Sequence, residues 1–173
     1  MTDLISRADA FAAAAHASIN QRRKYTGDPY IVHPRRVAQI VKDTGARDEV
    51  IAAALLHDVV EDTPVTLEEI RTEFGKDVAA LVEMVTDVSR PEDGNRKVRK
   101  AMDRDHLALA SAEGQTIKLA DLIDNTASIT QYDPGFAKVY MREKVELLGV
   151  LKKGDITLCQ HASALAERYG TKR

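Results

Sequence analysis

The chain has 173 residues, 44% of them hydrophobic and 30% charged, with a formal net charge of −2. This is the balance of an ordinary soluble globular protein, sized for a single domain over residues 1–173, and it excludes a disordered chain. So small a net charge provides no global field for nucleic acid or an anionic membrane, so any hold on phosphate must come from a local basic cluster.

Cys159 is the single cysteine, which rules out an internal disulfide and fits a reducing compartment. The apolar runs are short; Val50 to Leu56 is far below the length that spans a bilayer. Ala8 to Ala17 is alanine-rich, but Asp3 and Asp9 interrupt the region and no basic segment precedes it, so it reads as a first helix rather than a signal peptide. A cytoplasmic protein with no membrane partner is the expectation.

Helical apolar spacing runs almost throughout, and strand-like alternation is scarce. Val37, Ile40 and Val41 form one stripe, with Pro34 in the first turn and Gly45 as the stop. Asp48 is placed as the cap of a short alanine-rich helix ending near Leu56. Thr66 and Glu69 fit a capping box before Leu67, Ile70 and Phe74, with Gly75 ending that helix. Val78, Leu81, Val82 and Val85 mark the next one.

Ser89 to Asn95 contains Pro91 and Gly94 and reads as a loop. The basic helix after it, with Arg96, Lys97, Arg99, Lys100 and Arg104, reads as a solvated face. Further helices are predicted from about Gln115 to Ile129, Phe136 to Lys152 and Asp155 to Tyr169. Five tyrosines, three phenylalanines and no tryptophan point to a core of aliphatic residues and alanine. The fold class is all-α, a compact multi-helix bundle.

The chemistry concentrates in His57-Asp58-Val59-Val60-Glu61-Asp62. An apolar helix ending in histidine beside aspartate offers imidazole nitrogen and carboxylate oxygen, a ligand mixture suited to a first-row divalent ion. Glu61 and Asp62 bring two further carboxylates one turn later, and close carboxylates repel unless a cation or proton lies between them. His33 leads into the second helix; by itself it reads as a satisfied half-buried histidine. Lys118, Asp121 and Asn125 fall on one helical stripe, which suits either an inward-facing site or an exposed ion pair. Arg22, Arg23 and Lys24 form a guanidinium-rich cluster suited to phosphate, and Arg142 and Lys144 add late basic groups.

Together these segments resemble the hydrolase domain of the RelA/SpoT family, within the HD superfamily, and most of all its free-standing small alarmone hydrolases. The matching text is Arg22-Arg23-Lys24, Pro29-Tyr30-Ile31-Val32-His33-Pro34, Leu55-Leu56-His57-Asp58-Val59-Val60-Glu61-Asp62-Thr63, and Lys118-Leu119-Ala120-Asp121 with Asn125. The resemblance implies an HD-domain bundle in which His33, His57, Asp58 and Asp121 hold a divalent ion, usually manganese. It implies that Glu61 and Asp62 position the attacking water, and that Arg23, Lys24, Asn125 and Tyr140 contact a purine nucleotide. The implied reaction is hydrolysis of a 3′-pyrophosphate, with no synthetase domain.

Leu122-Ile123-Asp124-Asn125-Thr126 departs from the arginine and histidine that long members carry there, and Tyr25-Thr26 lengthens the turn before Gly27. Both changes leave the choice between guanine and adenine open. The rival functions are another phosphohydrolase on the same scaffold, a nucleotidase or NADPH phosphatase, and a non-catalytic nucleotide sensor. The aliphatic faces of the late helices suit either a homodimer or ordinary core packing.

Overall fold

Seven consecutive residues, Val50 to Leu56, are buried in the computed structural model, which describes residues 3–170. A helix with no polar face must be covered on every side. That helix, α3 (Asp48–Leu56), therefore lies against α1 (Leu4–Ser18), α2 (Val32–Asp43) and α6 (Lys76–Val85). Between α3 and α6 come the four-residue α4 (Val59–Asp62) and α5 (Leu67–Phe74). The described residues fall into two compact units, divided between Thr86 and Asp87, and these helices make up the first. The expected single domain includes residues 1, 2 and 171–173, which lie outside the described residues.

Alanine sets the spacing in this unit. Ala8, Ala12 and Ala15 form the buried face of α1, and methyl side chains let a helix approach α3 closely. Val37, Ala38 and Val41 seal α2, and Val78, Leu81, Val82 and Val85 seal α6. The Thr66–Glu69 capping box forms at the start of α5, and Gly75 ends that helix at φ +91°, a conformation that favours glycine. Asp48 is not the cap of α3. Arg47 occupies that position without a side-chain hydrogen bond, and Asp48 and Glu49 sit in the first turn, where their charge complements the helix dipole.

The second unit is built on α8 (Ala112–Tyr132), whose 21 residues exceed the predicted Gln115–Ile129 at both ends. Ser111 caps its start by accepting from Gly114 N. Before it come a 3-10 turn at Pro91–Asp93, inside the expected loop, and α7 (Arg96–Ala108). After it, α9 (Pro134–Leu148) and α10 (Ile156–Gly170) both pack on α8.

The α9 helix starts two residues before the predicted Phe136, because Asp133 caps it by accepting from Phe136 N. It stops short of the predicted Lys152 because the following backbone is captured by α8. Lys153 N donates to Gln115 Oε1 at 2.9 Å, and Asp155 N donates to Thr116 Oγ1 at 2.9 Å. Gly154 is closely covered by α8: a Cβ there would lie 2.5 Å from Leu119 Cδ1, so any side chain would force the leucine to shift. No helix among the described residues is long and apolar enough to cross a membrane.

Removing the α5 cap with Thr66→Ala should destabilise the chain by about 1 kcal/mol in urea unfolding. The packing of α3 and α4 should be unaffected.

Candidate metal and nucleotide sites

His33 enters the site because Gly27 turns the chain. Its φ of +73° closes a short hairpin in which Arg23 N donates to Asp28 O and Tyr30 N donates to Gln21 O. The hairpin delivers Tyr30 and then His33, which is fully buried in the first turn of α2. His57 is the C-terminal cap of α3, 3% exposed, and Asp58 follows it in the tight link to α4.

These three residues converge. His57 Nε2 lies 3.0 Å from Asp58 Oδ2, His33 Nε2 lies 3.7 Å from the same oxygen, and the imidazole centroids are 5.3 Å apart. His33, His57 and Asp58 each present one ligand atom, all within 4.8 Å of one another, so they form a group that could hold a metal ion.

Hydrogen-bond polarity tests that fit. His57 Nδ1 is 2.7 Å from Ala54 O, and a carbonyl only accepts, so Nδ1 carries the proton. In neutral His57 the lone pair then sits on Nε2, facing a carboxylate oxygen at 3.0 Å. Two electron-rich atoms at that distance repel unless a cation or a proton lies between them. The backbone contact is also the arrangement by which ligating histidines are oriented. Asp58 is held in turn by Tyr30, whose hydroxyl donates to Oδ2 at 2.6 Å. The donor set suits a divalent ion.

Glu61 and Asp62 lie on exposed turns of α4. Gln21 Nε2 donates to Asp62 Oδ2 at 2.9 Å, and Gln21 Oε1 faces His16 Nδ1 at 2.7 Å. The Asp62 carboxyl is pushed up from the ordinary aspartate range, first by desolvation and then by the Asp58 charge. Arg23 lies over the Tyr30 ring at 5.7 Å, which places its guanidinium beside the group that holds Asp58. Lys24 is exposed and lies over Tyr25 at 5.1 Å.

The remaining predicted residues belong to the second unit and share one cavity there, of about 270 Å³. Asp121 is 5% exposed, accepts from Lys118 Nζ at 2.9 Å and from Asn125 Nδ2 at 2.8 Å, and so realises the stripe seen in sequence. The ion pair is thus inward-facing. Tyr140 lines the same cavity and donates to Leu122 O at 3.2 Å; burial pushes its phenol up to about 12.

Sequence reasoning missed three features. The basic α7 helix is not simply a solvated face: Arg96, Lys100 and Arg104, spaced i, i+4, i+8, line the cavity. That spacing was visible, but its direction was not. Lys144 is 1% exposed and also lines the cavity, without any signal of burial in its neighbours Glu143 and Val145. The Tyr30 hydroxyl and the His16–Gln21 pair form the support of Asp58 and Asp62, and nothing in their spacing indicates it.

An HD domain family model matches residues 8–147. The chain belongs to the HD domain family. It is 37% identical to guanosine-3′,5′-bis(diphosphate) 3′-pyrophosphohydrolase MESH1 of Xenopus tropicalis, covering 87% of this chain and 84% of that protein. It is 39% identical to the Aquifex aeolicus guanosine-3′,5′-bis(diphosphate) 3′-pyrophosphohydrolase over 85% of this chain, but spans only 21% of that longer protein. The chain likewise covers about a fifth of a probable enzyme of that name from Synechocystis, at 36% identity. Among solved structures it superposes on a metazoan ortholog of SpoT that hydrolyses ppGpp, with a TM-score of 0.86, 28% identity, and coverage of 98% and 97% of the two chains.

Tyr30→Phe removes the donor to Asp58 and should weaken divalent-metal binding about 10- to 100-fold in a metal titration, with an unchanged helical spectrum. Lys144 supplies a second expectation. Burial holds its ammonium down to about 8, below the ordinary lysine value, so the folded state disfavours its charged form. The unfolded chain therefore binds more protons between pH 8 and about 10.5, and stability rises with pH in that window. Lys144→Met should be more stable than the wild type near neutrality, by up to about 3 kcal/mol at 1.36 kcal/mol per pKa unit. The gap should close as pH approaches 10.5 in parallel unfolding curves.

Proposed function

We propose that the chain hydrolyses the 3′-pyrophosphate of a purine alarmone nucleotide, releasing pyrophosphate. The observation that carries this reading is the His33–His57–Asp58 group, with Nδ1 of His57 tied to a backbone carbonyl and Nε2 aimed at Asp58. The 3′-pyrophosphohydrolase relatives, one of which the chain nearly spans, support the choice of substrate. Because the longer relatives are only partly covered, the activity is assigned here to this chain's own residues.

His33, His57 and Asp58 would hold the ion, with Asp121 as the fourth ligand that the family pattern implies. Manganese is the metal proposed. Such an ion supplies Lewis acidity at the phosphoryl group and a more acidic attacking water.

The side chains do the rest. Glu61 and Asp62 orient the water and take its proton; Gln21 occupies Asp62 Oδ2, which leaves Oδ1 to face the water. The water oxygen bonds to the phosphorus carried on O3′, the P–O3′ bond breaks, and a proton is delivered to O3′. Arg23 and Lys24 offset charge on the departing pyrophosphate. Asn125 and Tyr140 contact the nucleoside from the cavity of the second unit. The reading places the protein in the cytoplasm, acting on a small nucleotide without a nucleic acid or membrane partner, and it holds for a monomer or a homodimer.

Manganese-loaded protein should release pyrophosphate from guanosine or adenosine 3′-pyrophosphates, and His57→Ala should abolish it. The ratio of the two rates fixes the base preference. Glu61→Gln and Asp62→Asn should each lower kcat by about 10²- to 10⁴-fold with little change in KM. No release from either nucleotide by protein shown to hold metal would refute the assignment and direct the search to NADPH and simple nucleotides.

A further inference from the structure

Lys144 is the most unusual charge in the molecule. It lies on the buried face of α9, is 1% exposed, and its Nζ has a single protein partner among the described residues, the Thr126 hydroxyl at 3.0 Å. That hydroxyl donates its own proton to Leu122 O at 2.6 Å, so it is an acceptor toward the ammonium. An ammonium has three N–H donors, and two are left over.

The other cations lining the cavity are matched. Arg96 pairs with Glu143, Arg104 with Glu146, Lys118 with Asp121, and Lys100 lies 3.9 Å from Asp87. The remaining lining carboxylate, Asp103, is engaged by Val88 N, Ser89 N and Ser89 Oγ. No carboxylate of the described residues lies within ion-pair distance of Lys144. Burying an unpaired charge is expensive, and the folded chain bears that cost at the wall of a cavity. An incoming anion would remove it; a neutral base would remove less, because hydrogen bonding alone leaves the charge uncompensated.

The position along α8 narrows the anion. Thr126 lies five residues beyond Asp121, about 7.5 Å along the helix axis at 1.5 Å per residue. A phosphate bound beside Asp121 would lie about that far along α8 from Thr126, so Lys144 is placed for a different part of the same nucleotide.

We propose that Lys144, presented by Thr126, is a specificity-determining residue that receives the 5′-phosphate group of the nucleotide, while the 3′-pyrophosphate is the group cleaved. This rests on the reading that the cavity of the second unit takes the nucleotide. Its consequence is selectivity for doubly phosphorylated nucleosides over those phosphorylated only at the 3′ position.

The test is calorimetric titration of the full chain with guanosine 5′-diphosphate and, separately, with guanosine. The wild type should bind the diphosphate at least tenfold more tightly. Lys144→Met should lose most of that advantage while changing guanosine affinity less than threefold, and Lys144→Arg should retain most of it. In turnover, Lys144→Met should raise KM at least tenfold for guanosine 3′,5′-bis(diphosphate), leaving kcat within threefold, and should leave KM for guanosine 3′-diphosphate unchanged.

Equal losses for both ligands, or both substrates, would show a merely structural lysine and overturn the proposal. So would a wild type that binds the diphosphate no better than guanosine, a comparison that needs no variant to fold. Failure of the hydrolase reading is a separate result: a wild type that binds the diphosphate through Lys144 but releases no pyrophosphate.

Discussion

The burial of α3 is the constraint on which the first unit depends. A helix running from Val50 to Leu56 without a polar side chain can only be stable when surrounded, and α1, α2 and α6 surround it. Its C-terminal cap is consequently carried inside the protein. His57 and Asp58 occupy that end, so the same packing that stabilises the unit buries one potential ligand and leaves the other half-buried beside it. The alanines of α1 serve this arrangement, because larger side chains would hold the surrounding helix away from α3.

Polar support then follows a consistent direction of hydrogen bonding. Ala54 O fixes the proton of His57 on Nδ1, Tyr30 donates to Asp58, and Gln21 donates to Asp62. Because Gln21 turns its amide nitrogen to Asp62, its oxygen faces His16, which must then donate from Nδ1. Tyr30 and Gln21 each present a donor to a carboxylate, which favours the ionised form that ligation and water orientation require. Desolvation and the neighbouring Asp58 oppose this at Asp62, and the Gln21 hydrogen bond counters them.

The second unit solves a different problem. Its cavity gathers five cationic and five carboxylate side chains, and pairwise matching leaves Lys144 and Asp103 aside. Asp103 is used to fasten the backbone at Val88 and Ser89. Lys144 is left with a hydroxyl. Thr126 is the residue that both Lys144 and Tyr140 touch.

The amino-acid sequence by itself determined the all-α class, the Thr66–Glu69 capping box and the site motifs, because each rests on spacing within one turn or one helix. His57 with Asp58 was legible for the same reason: the two are adjacent, and the apolar run before them is unbroken. Helix ends were less legible where distant side chains decide them. Gln115 and Thr116 take backbone donors at Lys153 and Asp155, so α9 ends near Leu148, and no residue close in sequence signals it. Only the tertiary structure decided that His33 joins His57 and Asp58, that Lys118 and Asp121 face a cavity, and that Lys144 is buried without a carboxylate. Burial and charge compensation are properties of what packs around a side chain, and that is set by chain segments far away in sequence.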